Sequence, residues 1–371
     1  MASVSKVSRK PTGGRPQVSW MVRYRDPDHR QKARTFARKA EASRFAVAIE
    51  HSITAGTYVD PELGRLSVSE WATRWLDGAR PTLKPKTVDS YESLIESRIV
   101  PALGGRRVSS LRPSDIQKWV GGMQSDGISA SRVRQAHVTL KQIFDAALRD
   151  GAIGRNPALG VKLPRLEHKE ADYFQPEVVD RIADALAEPY DLLVRLLGTL
   201  GLRWGEGAAL ERRHVDFLKR RLIIEQSLAE VKGKLILGST KSHSTRAVPL
   251  SPGLVGALQS HLETRAAPEP TARLFTAPEG GELRYSTWAH RVWRPTLKRL
   301  ELPHAGVHVL RHSAAARMIN AGASAKAVQT ILGHRSVAFT LTTYGHLLQN
   351  DLDDLASRLD APIQLSQPNP A

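Results

Sequence analysis

Hydrophobic and polar positions follow three different rhythms along this chain. Val18, Trp20, Val22 and Tyr24 alternate with Ser19, Met21, Arg23 and Arg25, the period of two that marks a half-buried strand. Asp26-Pro27-Asp28-His29 is a turn, residues 30–36 return as a second strand, and residues 38–53 read as a helix. Residues 1–16, rich in Ser, Lys, Gly and Pro, are expected to be a flexible lead. From Gly64 the rhythm turns helical. Ser67-Val68-Ser69-Glu70 is a capping box opening a helix through Trp71, Trp75 and Leu76. Pro81 and Pro85 break it, and residues 87–99 form a second helical stretch ahead of Pro101. Pro113 opens another through Ile116, Trp119 and Val120. Residues 130–150 carry Val133, Leu140, Ile143, Phe144, Ala147 and Leu148 on one side, with Gly151 as the stop. Asn156-Pro157 and Pro164 then mark an extended linker. Beyond it the pattern is mixed: helices over 178–187 and 192–202, short strands over 222–226, 234–237 and 247–250, and helices again from Pro252 and from His308.

At 371 residues with 41% hydrophobic positions, two or three folded domains are expected. The absence of cysteine excludes disulfides, thiolate catalysis and cysteine-ligated zinc. The N-terminus shows no secretory pattern, and nowhere do about eighteen apolar residues run together, so a cytoplasmic protein with no membrane partner is expected. Charge changes the picture more. The net charge is +17, and residues 1–44 hold 12 basic against 3 acidic side chains. So uneven an excess points to a polyanion, because each phosphate contact releases condensed counterions. Arg23, Arg25, Arg30, Lys32 and Arg34 gather near the first hairpin, as in a β-ribbon made to lie in a DNA groove.

Several catalytic patterns are missing: no G-x-x-x-x-G-K-S/T, no G-x-S-x-G and no H-E-x-x-H. Gly198, Gly201, Gly205 and Gly207 lack the dinucleotide-binding spacing. His304, His308 and His312 fall four apart and could line one helix face as metal ligands, but Arg311 disfavours a dication there and Pro303 argues for a later helix start. No metal or cofactor is expected. What remains suits phosphate chemistry: Gly201-Leu202-Arg203-Trp204-Gly205-Glu206, His308-Val309-Leu310-Arg311-His312, Leu332-Gly333-His334 and Thr343-Tyr344. Taken alone, Arg203 and Glu206 also suit a helix-surface ion pair, and Lys241, near Lys232 and Lys234, a solvated loop.

These blocks resemble the tyrosine recombinase (phage integrase) family, which is marked by G-L-R-x-G-E, a hairpin lysine, H-x-L-R-H, L-G-H and a tyrosine in this order. The resemblance covers about residues 65–360. It implies a multidomain, mainly α protein with small β-sheets: an arm-type DNA-binding domain of small sheet plus helix over 1–64, a helical (SAM-like) core-binding domain over 65–160, a linker over 161–169 and a mixed α+β catalytic domain over 170–371. It also implies roles. Arg203 and Arg311 would hold the non-bridging phosphate oxygens with planar donor pairs. Tyr344 would be the nucleophile, His308 the proton-transfer group with His334 beside it, Lys241 the acid for the departing 5′ oxygen, and Glu206 a support. Val309 and Gly207 depart from the family pattern, where aspartate and a larger residue are common.

The resemblance further implies a 3′-phosphotyrosine intermediate, strand exchange through a four-way junction, and a homotetramer on double-stranded DNA. The basic N-terminal segment suits a phage integrase bridging core and arm sites, with a DNA-bending host factor and an excisionase-like directionality factor as partners. Residues 351–360, alternating Leu and Asp, resemble a segment that docks on a neighbouring subunit. A single-protomer DNA-relaxing enzyme of type IB topoisomerase chemistry and a non-catalytic DNA-binding regulator are the alternatives.

Overall fold

The computed structural model of the chain describes residues 2–9, 17–167, 172–240 and 245–348. The chain divides into two units, Met1–Glu167 and His168–Ala371.

The first unit opens with an antiparallel sheet of β1 (Ser3–Arg9), β2 (Gln17–Arg25) and β3 (Gln31–Phe36) in sequence order. Residues 3–9 are thus a strand and not a flexible lead. Their apolar positions are few, but full register with β2, from Ser3 opposite Arg23 to Arg9 opposite Gln17, satisfies the backbone, and Val4 packs under the sheet. Helix α1 (Lys39–Thr54) covers one face, burying Ala42, Ala46 and Ile49 against Val22 and Tyr24.

A short α2 (Pro61–Arg65) leads to α3 (Val68–Ala79), whose capping box forms as the sequence requires. Ser67 N–H donates to Glu70 Oε2 at 2.8 Å and Glu70 N–H to Ser67 Oγ at 3.2 Å. Next, α4 (Pro85–Leu94) passes through a π-turn, Ile95–Ile99, into α5 (Val100–Leu103). The helical run therefore continues through Pro101 instead of stopping before it. The wider turn sets Pro101 at the start of a new segment, where its missing N–H costs little. Helices α6 (Pro113–Ser125) and α7 (Ala130–Arg149) complete the bundle around Trp71, Ile99, Ile116, Leu140, Ile143 and Phe144. The first part of the linker is pinned to this unit: Gln117 exchanges two hydrogen bonds with the backbone of Lys162, and Arg134 Nε donates to the Pro164 carbonyl at 2.8 Å.

The second unit is built on α9 (Tyr190–Leu200), whose Leu193, Val194, Leu196 and Leu197 are buried on all sides after α8 (Pro176–Asp184). A short α10 (Trp204–Ala208) follows. Strands β4 (Val215–Asp216), β5 (Arg221–Ile224) and β8 (Arg246–Pro249) form one antiparallel sheet, and β6 (Gln226–Val231) pairs with β7 (Lys234–Ser239) as a separate hairpin. Helix α11 (Pro252–Thr264) is followed by a run that the sequence pattern left unassigned: α12 (Tyr285–Trp288), a π-turn and α13 (Arg294–Arg299). Its aromatic residues pack mainly on other aromatic rings, with Trp204–Trp288 centroids 4.5 Å apart and Trp288–Trp293 5.8 Å, so no simple apolar stripe announces it. Helices α14 (Val309–Asn320), α15 (Ala325–Leu332) and α16 (Val337–Leu348) close the unit over Ala315, Ile319, Val328, Leu332 and Tyr344. Among the described residues no helix is long and apolar enough to cross a membrane.

Leu140 is fully buried in the bundle, so Leu140→Ala is expected to lower the stability of the first unit by about 2–5 kcal/mol. Ser67→Ala removes only a cap and should cost about 1 kcal/mol. Urea unfolding of the two variants checks the order.

Candidate active site

Two helix ends create the site. Helix α9 stops at Gly201 in the left-handed conformation (φ +68°). A Cβ there would lie 2.2 Å from Leu332 Cδ2, so only glycine fits. The turn releases Leu202 into the core and sets Arg203 as the extended residue opening α10. Helix α15 stops the same way at Gly333 (φ +67°). Both ends present backbone carbonyls and the negative end of a helix dipole.

Arg311, 2% exposed on α14, fills the space between them. Its Nη1 donates to the Gly201 carbonyl at 2.6 Å and its Nη2 to the Leu332 carbonyl at 2.7 Å. Burial, and after it the like charge of Arg203, lower its pKa to about 9, which leaves it charged at neutral pH. Val309, where aspartate is common in the resembling family, sits in the core at 5% exposure. The support an aspartate would give Arg311 is supplied by the two carbonyls.

Glu206 and Arg203 form an ion pair, Nη1 to Oε1 at 2.8 Å, while the Arg203 N–H donates to Oε2 at 2.9 Å. This is no surface pair, since Glu206 is 1% exposed. Its other partner is Arg246, a residue the sequence reading passed over. Arg246 Nη2 and Nη1 meet the two Glu206 oxygens at 2.7 and 3.1 Å, and its Nε donates to the Ile331 carbonyl at 2.8 Å. Burial pushes the Glu206 carboxyl up, but the hydrogen bonds and charge of Arg246, then Arg203, outweigh it and hold the carboxyl below its usual range. Gly207 faces Leu193 and Leu197, both 3.1 Å from where a Cβ would stand. A larger residue there would need the Leu193 and Leu197 side chains to give by a few tenths of an ångström.

Tyr344 lies in the same cluster on α16, 2% exposed. Burial pushes its hydroxyl up to about 12, against a smaller opposing effect of Arg311. Its Oη is 2.7 Å from His312 Nδ1. The His334 ring stacks on it at 6.4 Å between centroids and is oriented by Thr340 Oγ1, 2.9 Å from Nδ1. Burial, then Arg311 and Arg203, lower His334 to about 4, so it is neutral at pH 7. His308 stands exposed at the head of α14, edge-on to His312 at 5.0 Å. His304 falls outside α14, so the three histidines do not share a helix face. Among the described residues no group of three His, Cys, Asp or Glu could hold a metal ion. Lys241 and residues 351–360 lie outside the described residues.

The five hairpin cations do not share one face of the sheet. Strand register places Arg23 and Arg25 on the sheet face turned away from α1, with Ser3, Ser5, Met21, Gln31, Ala33 and Thr35. Lys32 and Arg34 belong to the α1 side. Lys32 Nζ is 3.1 Å from Asp60 Oδ2, and the Arg34 guanidinium lies 5.2 and 5.0 Å from the Phe36 and Phe45 ring centres. Arg30 is exposed in the turn beside Asp28.

Residues 172–351 match the phage integrase family, and residues 67–124 match the phage integrase N-terminal SAM-like domain. The integrase of Mycobacterium phage L5 is 27% identical over 338 residues, 86% of this chain and 88% of that protein. A tyrosine recombinase XerC-like protein of Caldanaerobacter subterraneus is 25% identical, covering 74% of this chain and 78% of its own. Among solved structures, the Tn1549 transposon integrase in complex with a circular intermediate DNA superposes with a TM-score of 0.68 at 24% identity, over 79% of this chain and 99% of that one. A lambda integrase tetramer bound to a Holliday junction gives 0.59 at 19%, over 85% and 93%. The chain belongs to the phage integrase family of tyrosine recombinases, which are site-specific DNA recombinases.

The electrostatics fix a pH response. Because His334 is held neutral, the unfolded chain binds more protons between about 4 and 6.5, and stability rises with pH through that window. Glu206 has the usual carboxylate sign: its contribution is complete above about 4.5 and is lost as pH falls through its lowered folded value. The second unit should therefore melt at falling temperature as pH drops from 6.5 towards 4, and His334→Gln should flatten part of that slope. Glu206→Gln strips the charge partner from buried Arg246 and should cost about 3–5 kcal/mol at pH 7. Thermal unfolding against pH reads both.

Proposed function

We propose that the chain integrates phage DNA by a phosphotyrosine route, with Tyr344 as the nucleophile. The observation that carries this reading is the convergence of Arg203, Arg311, His334 and a buried Tyr344 hydroxyl at one pair of helix ends. Tyr344 Oη attacks the scissile phosphorus, the bond from phosphorus to the 5′ oxygen breaks, and a 3′-phosphotyrosine and a free 5′ hydroxyl result. The ester bond conserves the energy of the broken linkage, so religation by an incoming 5′ hydroxyl needs no nucleotide cofactor. Arg203 and Arg311 meet the charge growing on the non-bridging oxygens. Neutral His334, its Nδ1 fixed by Thr340, donates through Nε2 to the same group. Lys241, on the segment joining β7 to β8, protonates the leaving oxygen.

Double-stranded DNA is the substrate. A tetramer on a four-way junction, as in the lambda integrase structure, is the assembly that exchanges both strand pairs. Residues 65–160 and 170–371 bind the core site, and residues 1–64 bind a separate arm site. The open sheet face supports the last point: small polar side chains let the strands approach base edges, while Arg23 and Arg25 reach phosphate or guanine. Two such sites on one protomer raise local concentration. A DNA-bending host protein and an excisionase-like factor set direction.

On a nicked suicide duplex, the wild-type chain should form a covalent protein–DNA adduct and Tyr344→Phe none. Arg203→Ala and Arg311→Ala should slow adduct formation by about 100-fold or more. Lys241→Ala should be slow on ordinary DNA yet near wild type when sulfur replaces the bridging 5′ oxygen, because a thiolate leaves without a proton. If sulfur fails to rescue it, Lys241 is not the acid.

Arg23→Ala with Arg25→Ala should weaken arm-site binding and lower the dependence of log K on log salt by about 1 for each lost phosphate contact, whereas Lys32→Ala and Arg34→Ala should change affinity less. Gel shifts at several salt concentrations read this. Equal effects from all four would reject the open-face assignment.

A further inference from the structure

One buried cation of the second unit belongs to none of the motifs and has no part in the chemistry proposed above. Arg246 opens β8 with a side chain 7% exposed, against 24% for Arg203, so Arg203 faces the open side of the cluster and Arg246 its interior. Arg246 Nη1 and Nη2 donate to the two Glu206 oxygens, and its Nε donates to the Ile331 carbonyl. The next carbonyl along α15, that of Leu332, holds Arg311. We propose that Arg246 is a positioning residue for strand cleavage: it fixes Glu206 against the end of α15, and Glu206 in turn sets Arg203 at a constant offset from Arg311.

The proposal rests on Arg203 holding the scissile phosphate. A long arginine side chain has many rotamers to lose, and a misplacement of about 1 Å from a reacting group can cost on the order of 100-fold in rate. Glu206 supplies the restraint. It accepts Arg203 Nη1 at 2.8 Å and the Arg203 N–H at 2.9 Å. A carboxylate offers about four acceptor positions. Arg203 fills two and Arg246 the other two, so the carboxylate is gripped from both sides and cannot turn. Without Arg246, burial would act on a carboxyl supported by Arg203 alone, and the plane that orients the Arg203 guanidinium would be lost. Arg246 does not reach the phosphate itself, because its three nitrogens are already engaged behind Glu206.

A buried ion pair also serves stability alone, and a double-variant comparison separates that role from positioning. Single-turnover adduct formation on the nicked suicide duplex, at saturating DNA, compares the full-length wild type, Arg246→Met, Arg246→Lys, Arg203→Ala, and Arg203→Ala combined with Arg246→Met. Gel-shift affinity and melting temperature are measured on each, and rates are read below the lowest melting temperature. Arg246→Met should cleave about 10- to 100-fold more slowly at unchanged DNA affinity. Arg246→Lys, which returns the charge without the fork, should recover part of the loss. In the Arg203→Ala background the Met substitution should cost less than about threefold, because Glu206 then has nothing to set. Should Arg246→Met fold poorly, Arg246→Lys in the two backgrounds carries the same comparison. A wild-type rate from Arg246→Met would overturn the proposal. So would an equal loss with and without Arg203, which would make Arg246 a prop for the fold or a phosphate contact in its own right. If wild type forms no adduct, or Arg203→Ala cleaves as fast as wild type, the fault lies in the reading of Tyr344 or of Arg203 instead.

Discussion

The second unit depends on burying positive charge without losing it. A guanidinium taken from water must recover its solvation from fixed dipoles or an anion. Here Arg311 recovers it from two carbonyls at the C-terminal ends of α9 and α15, and Arg246 from Glu206 and a third carbonyl, that of Ile331. The two left-handed glycines follow from this demand. Gly201 and Gly333 end their helices where a side chain would either collide with Leu332 or crowd Arg246 at 3.2 Å. Backbone geometry and electrostatics are one constraint at this point.

That constraint also orders the rest of the site. Glu206 cannot pair with Arg203 unless Arg246 neutralises its second oxygen, and Arg246 reaches it only from the first residue of β8. The β5–β8 pairing, with Ile224 opposite Arg246, therefore sets where Arg203 sits. The β6–β7 hairpin is held from two sides: β6 passes so close over α10 that a Cβ on Gly205 would lie 2.5 Å from the Leu228 carbonyl oxygen, and Glu230 accepts hydrogen bonds from the Ser286 N–H and hydroxyl at the start of α12.

Much of this was legible in the sequence, and the failures have physical causes. The capping box at Ser67, the Gly151 stop and the period-two strand at residues 18–25 are local signals, and the structure forms them all. Strand β1 was missed because it contributes few apolar side chains and is held by backbone pairing. Helices α12 and α13 were missed because aromatic stacking hides the helical period. The blocks around Arg203, Arg311, His334 and Tyr344 pointed to residues that the fold brings together. Arg246 did leave a trace: with Val248 and Leu250 it makes every second position of a short strand buried, and a cation on an apolar face signals a buried anion. His312 shares a helix face with His308, and spacing alone could not say which of the two meets the tyrosine. The split of the hairpin cations needed strand register and the position of α1, which a composition count cannot supply.

The cluster holds more positive charge than it neutralises. Arg203, Arg246 and Arg311 surround the carboxylate of Glu206, and the pKa of Arg311 is lowered first by its burial and then by the like charges of Arg203 and Arg246. Such repulsion raises the energy of the empty site and is relieved when an anion arrives, so part of the affinity for a phosphodiester is stored in the fold beforehand. In the proposed reaction the gain grows as charge builds on the phosphate oxygens, because the Arg311 guanidinium already stands in a dry place and needs no reorganisation. The proposed proton transfer from Tyr344 meets no base strengthened by the cluster, since burial and Arg311 make both His312 and His334 less basic, so it must be driven by bond formation at phosphorus, which ties the loss of the proton to the presence of the substrate.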